Sequence, residues 1–352
     1  MKHRFIAFFT AFLLLSNFTL LPAAAAAETP AVKRAKSDQL VAMLPAADAV
    51  VTVDIKRMFG EAVPMLLASK QAMLGDVNAK IDEMRTKTFI DIRQFDLMAA
   101  GVTFTQKADK KFATDAVVIA RGAVNISQII STARTAAKDK YKEETLAGRS
   151  IYIFSAKDAV AAGRGAVTGT KDPGKFAKMI DKVSGDIALT ALDSNTVAFG
   201  DVDLVRSTVE ARTRISTDLI TLLHKKPFAI ANFAGKAPAG LSSLLPVEQD
   251  EFSQSIESIK YAFGSMDAAG GVLSMNMTAR TDGVDSATQL YDTLEVLQTF
   301  GKMALGASKR ADQQLYARLI EGLALSKAEA DVSMDLQIPQ ADIDALMAIL
   351  IK

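Results

Sequence analysis

This chain of 352 residues contains no cysteine and no tryptophan, and only two histidines, His3 and His224. Without cysteine there is no disulfide framework, no thiol nucleophile and no cysteine-based zinc site. His3 lies in the leader described below. His224 is then left alone, and one imidazole cannot build a histidine shell around a metal. The motifs H-E-x-x-H, G-x-S-x-G and S-x-x-K are also missing. A Ser-His-Asp triad would have to use His224, whose neighbours Lys225 and Lys226 mark an ordinary surface helix. An excess of either charge is missing too: 41 basic residues stand against 40 acidic ones. Nucleic acid is therefore not expected as a partner, because phosphate binding needs a basic excess.

What is present is an ordinary globular composition, 49% hydrophobic and 23% charged, long enough for two domains. The N-terminus carries the clearest signal. Lys2, His3 and Arg4 precede an apolar run from Phe5 to Leu21, then Pro22 and the small residues Ala23–Ala27. This is the form of a secretory signal peptide, with cleavage expected near Ala27. The alternative is an N-terminal membrane anchor. No later stretch has about 18 uncharged apolar residues, so no other transmembrane helix is expected.

Residues 28–43 read as a polar tether, 44–215 as a first half with a Gly-rich linker over 156–172, and 216–352 as a second half. Leu44–Ile55 begins the fold: a turn at Pro45, then the β-branched strand Ala49–Ile55. A helix follows, with breaks expected at Pro64 and at Gly75-Asp76. Strands are expected over Phe95–Thr105, Ala116–Arg121 and Ser150–Ser155, with a charged connection at Lys107–Lys111 and a helix beginning at Asn125 or Ser127. The fold class is α+β. It is read as two similar halves, each a mixed or antiparallel sheet with helices in split β-α-β, ferredoxin-like order, produced by internal duplication. In the second half, strands are expected at Phe228–Phe233, Ile259–Asp267, Gly271–Arg280 and Asp331–Ile338. The last alternates Val332, Met334, Leu336 and Ile338 with Asp331, Ser333, Asp335 and Gln337.

No catalytic, cofactor-binding or metal-binding residue is assigned. Gly163–Lys171 has the wrong spacing for a phosphate loop. Asp193, Asn195 and Asp267 read as turn residues. Lys107, Lys110 and Lys111 read as a solvated tip, with a weak anion contact as the alternative. Met275 and Met277 share a strand face; core packing is the ordinary reading and a copper-binding thioether pair the other. Leu97–Ala100 and Ala116–Ile119 are apolar on both faces, so something must cover the second face. The candidates are the chain itself, an envelope protein, or an apolar ligand in a groove between the halves.

The segments Leu44–Val50, Ala191–Thr196, Gly264–Asp267 and Thr278–Thr281 resemble a group of exported bacterial proteins to which no reaction is assigned. The resemblance implies export and a non-enzymatic role, and brings no site residue with it. Two readings follow. One is an exported, non-catalytic binding or interaction protein. The other is an envelope enzyme using carboxylate or lysine chemistry.

Overall fold

The computed structural model describes residues 30–350 except 89, 107–111, 139, 156–184, 227 and 241–249. The leader, the linker over 156–172, the lysines at 107–111 and the Gly163–Lys171 segment lie outside the described residues. The chain divides into two units. The first holds the described residues up to Asp48, Thr52–Pro64 and Lys70–Ser216; the second holds Ala49–Val51, Met65–Ser69 and everything from Thr217 onward.

The first unit begins with α1 (Pro30–Val41), where a tether was expected. A sequence of small and charged residues hides the helix, but its end buries Leu40 and Val41, and Leu44 follows at 0% exposure. Next come β1 (Ala49–Asp54) and helical turns over 55–66, of which 49–51 and 65–66 count with the second unit, and α2 (Gln71–Thr88). Asp54 caps the turns, its Oδ1 accepting from the Arg57 amide at 2.9 Å. The expected break at Gly75-Asp76 does not occur: α2 runs through it, because an isolated glycine costs a helix only about 1 kcal/mol. The unit continues with β2 (Phe95–Gln106), β3 (Phe112–Gly122), α3 (Ile126–Ala136), β4 (Tyr141–Leu146), β5 (Arg149–Phe154), β6 (Ile187–Asp193), β7 (Thr196–Asp201) and α4 (Val202–Glu210). Asn125 caps α3 and Asp201 caps α4, each through its side-chain oxygen. Strand β4 carries polar residues on both faces. Its Lys142, Glu143 and Glu144 are the charges an edge strand carries against unwanted pairing.

Strand order in this unit is β1-β2-β3-β7-β6-β5-β4. The pairings from β2 to β4 are all antiparallel. In a split β-α-β arrangement a further strand separates β1 from β2; here they are neighbours. Both sheet faces are covered from within the unit. Alternate residues of a strand face opposite ways. Val117 and Ile119 lie on the face over which α1 packs. Ala120 and Val197 meet Ile126, Ile129 and Ile130 of α3 on the other.

The second unit comprises α5 (Thr217–Leu223), β8 (Ala231–Lys236), α6 (Asp250–Glu257), β9 (Ile259–Ala269), β10 (Val272–Thr281), α7 (Val284–Gly306), α8 (Ala311–Glu321), β11 (Ala324–Ala328), β12 (Asp331–Pro339) and α9 (Gln340–Leu350). Strand order is β8-β9-β10-β12-β11, antiparallel throughout. Ala279 and Val332 pack under Ala287 and Leu290 of α7. Helix α9 buries Ile343 and Met347. The C-terminal half of α7 leaves Val296, Leu297, Phe300 and Met303 exposed. No helix among the described residues is long and apolar enough to cross a membrane.

Candidate functional site

The site follows from the register of four strands of the second unit. Asn232 of β8 pairs with Ser265 of β9, Ser265 with Asn276 of β10, and Asn276 with Asp335 of β12. These four polar residues form one row across the sheet. The neighbouring row holds Asp267, Ser274 and Gln337; the row on the other side holds Phe263, Thr278 and Ser333. All point to one face, because side chains two apart along a strand share a side.

That face floors a cleft of about 480 Å³, with Lys225, Lys226, Phe228 and Ala229, which follow α5, forming its wall. Asn276 Nδ2 donates to Asp335 Oδ1 at 2.9 Å, and Lys226 Nζ approaches the same oxygen at 3.3 Å. Thr278 Oγ1 and Ser333 Oγ are 2.8 Å apart and share a hydrogen bond. Behind them Arg280 grips Asp331 through two parallel bonds of 2.6 and 2.7 Å, and its guanidinium lies over the Phe263 ring. The hydrogen bonds to Asp331 and its negative charge raise the Arg280 pKa against the opposing effect of burial. Helix α5 is tied to the same face, with Tyr261 donating to Asp218 at 3.4 Å.

The cleft therefore offers hydroxyl, amide and carboxylate groups on its floor and two exposed lysines at its rim. Such a set can hold a small polar ligand from several sides. Both of its carboxylates are engaged: Asp335 accepts from an amide and pairs with a lysine, and Asp267 Oδ1 accepts from the Ala268 amide at 3.0 Å.

The equivalent face of the first unit is a different environment. Arg121 stands one residue before the end of β3 as Arg280 does in β10, and each bonds to the first residue of the neighbouring strand toward the sheet edge: Thr196 at 2.9 Å and Asp331. Counting back from these arginines, Val117 stands where Asn276 stands, paired to Gly101 and Gly200 where Asn276 is paired to Ser265 and Asp335. Val117 is 0% exposed. A Cβ on Gly101 would lie 3.3 Å from Ala47 Cβ and 3.5 Å from Leu44 Cδ2. Gly200 has φ +144°, and a Cβ there would lie 2.2 Å from the Ala116 carbonyl oxygen, so no side chain fits. Leu44 is fixed in turn by its carbonyl, which accepts from the Ile215 amide at 3.4 Å, and by Arg214, which donates to the Met43 carbonyl at 2.7 Å. The strands that are apolar on both faces in this unit thus have their cover in α1, Leu44 and α3.

The residues singled out from the sequence fall in several places. Asp193 and Asn195 make the expected turn, Asp193 Oδ1 accepting from the Asn195 amide at 2.9 Å. Asp267 is not a turn residue: β9 continues to Ala269, and Asp267 pairs with Ser274 and lines the cleft. The expected strand Phe228–Phe233 starts later, at Ala231, which frees Phe228 and Ala229 to wall the cleft. His224 lies beyond α5, whose last residue is Leu223. Met275 borders the cleft, while strand alternation puts the side chains of Met275 and Met277 on the face opposite Ser274 and Asn276. The alternation of β12 marks Asp335 and Gln337 as one face, but nothing in the sequence marks Ser265 or Asn276 until three strands are brought side by side.

No known protein family and no curated protein matches the chain. Among solved structures it is similar to crystal forms of TP0453, an exported protein of Treponema. Form IV covers 87% of this chain and 95% of its own at 7% identity and a TM-score of 0.43. Form I gives 88%, 97%, 8% and 0.42, and form III gives 87%, 96%, 6% and 0.44. At these values the similarity brings no ligand, partner or residue role to this chain.

Proposed function

We propose that this is an exported, non-catalytic binding protein of the bacterial envelope, and that the cleft of its second unit holds a small polar ligand with an anionic group. Lys225 and Lys226 would face the anion, and Ser265, Ser274, Asn276 and Gln337 would supply hydrogen bonds. One observation carries this reading: the positions that the first unit fills with Gly101, Val117 and Gly200 are Ser265, Asn276 and Asp335 in the second, beside an open cleft. Polar groups on a covered sheet face cost stability unless they are satisfied, so their placement here fits recognition. Enzymatic use of the carboxylates is less well supported, because Asp335 is already held by Asn276 and Lys226 and Asp267 by the Ala268 amide. Export rests on the leader Met1–Ala27.

The proposal includes internal duplication. The order β1-β2-β3-β7-β6 of the first unit has the same form as β8-β9-β10-β12-β11 of the second, with β4 and β5 added at the end of the first. A helix precedes the first strand of each set (α1, α5), another follows the third (α3, α7), and a third follows the last (α4, α9). Ala120 and Val197 under α3 occupy the places of Ala279 and Val332 under α7.

The test is native mass spectrometry of the protein released from its own envelope, in parallel with Asn276→Val. A retained small polar molecule that disappears in the variant is the expected result. Empty protein, together with no rise in melting temperature across a panel of anionic small molecules, overturns the reading. A retained lipid would favour the apolar-ligand alternative instead.

A further inference from the structure

We propose that Met275, Met277 and Met334, with Met266 beside them on the sheet face opposite the Asn276 row, form a thioether site for a soft monovalent cation, Cu(I) or Ag(I). Met275 pairs directly with Met266 across β9 and β10, and Met277 pairs directly with Met334 across β10 and β12. Met275 and Met277 are two apart on one strand, so all four share a face. Directly opposed Cβ atoms lie about 4.5–5.5 Å apart and diagonal ones about 7–8 Å. Successive same-face residues are about 7 Å apart along a strand. Methionine has three rotatable bonds and a terminal thioether, so the sulfurs of Met275, Met277 and Met334, which are mutual direct or diagonal neighbours, can converge on one ion; Met266 and Met334, two strands and one row apart, cannot both join it.

Filling the core is the usual task of methionine, but here other residues perform it. Ala279 and Val332 are buried under α7, and Leu273 and Ile338 are buried at the other end of the same face. None of the four methionines is buried, and Met277 is 43% exposed. Gly264, opposite Met277, leaves its place to the Phe233 ring: a Cβ on Gly264 would be 2.7 Å from Phe233 Cε1. The remaining residues of these two rows, Ala231, Leu325 and Leu336, carry no charge. A hard divalent cation would find no oxygen ligand among these side chains, whereas neutral thioethers select Cu(I). The matching positions of the first unit, Val102, Ala116, Val118 and Phe199, hold no sulfur.

The full chain is suited to a direct test, because it has no cysteine and only two histidines to compete. Anaerobic titration with Cu(I) against a chromophoric chelator, and with Ag(I) followed by native mass spectrometry, should show one ion per chain. Met277→Leu and Met334→Leu should each weaken binding roughly tenfold or more, since loss of a ligand costs at least what loss of an outer-shell partner does. Met275→Leu combined with Met277→Leu should abolish it, with an unchanged unfolding midpoint because leucine conserves volume. Met303→Leu, on exposed α7, should change nothing. No stoichiometric uptake, uptake that survives in the double variant, or equal weakening by Met303→Leu would each overturn the proposal.

Discussion

The two units share a strand order and differ in what their matching faces do. In the first, Leu44 and Ala47 close over Gly101 and Val117, and the face is sealed. In the second, Lys225 and Lys226 follow the matching helix, and the face beneath is hydroxyl, amide and carboxylate. The exchange is consistent on both sides of the contact. Where the covering segment is apolar the strands are apolar or glycine, and where it is basic the strands are polar. The core beneath α3 in the first unit and beneath α7 in the second is apolar in both, so the difference is confined to the opposite face.

This contrast can be broken most severely by moving a polar residue into the sealed face. Val117→Asn should lower the free energy of unfolding by about 3 kcal/mol or more, since it buries an unpaired amide and removes apolar contact. Its mirror image, Asn276→Val, should stay within about 1 kcal/mol. Urea unfolding of the pair measures both, and similar losses would mean the two faces are alike. Leu44→Ala should cost about 3 kcal/mol in the same assay, as for other fully buried leucines.

Ion pairs sharpen the comparison further. In the first unit Arg93 donates to both oxygens of Asp91 at 2.7 Å and to Asp82 at 2.8 Å, and Asp91 and the Arg93 side chain are nearly buried. Burial alone would push the Asp91 pKa up; the hydrogen bonds and charge of Arg93 outweigh it and hold the pKa below the ordinary 3.8. Because the folded pKa is depressed, the stabilisation is present above pH 3.8 and is lost as the pH falls through the folded value. Asp91→Asn should therefore cost about 2 kcal/mol near neutral pH, with the difference from the parent shrinking below pH 3.8. Stability measured by denaturant from pH 7 to pH 2 checks the direction. In the second unit Arg280–Asp331 is partly exposed, so Asp331→Ala should cost only about 1 kcal/mol.

Much of the fold could be read from residue patterns alone. Strands β9, β10 and β12 lie within two residues of their expected bounds, because clean alternation and Gly or Pro boundaries mark them. Helix α1 escaped because its apolar residues cluster at one end, where Leu40 and Val41 dock, and do not form a stripe. Strands β4 and β11 escaped because edge strands carry polar residues on both faces. The site was less legible. Asp335 and Gln337 could be seen to face one way, but only the register shows that Ser265 and Asn276 stand beside them. The basic segment Lys225-Lys226 gains meaning only when α5 places it over that row.

The matching face is covered at Val117 in the first unit and borders a cleft at Asn276 in the second, and a chain without cysteine allows the difference to be measured cleanly. Asn276→Cys and Val117→Cys place one thiol at each matching position. Under native conditions a thiol-reactive probe should label the protein readily at position 276 and only on unfolding at position 117. Equal labelling at the two positions, or protection at 276, would contradict this contrast.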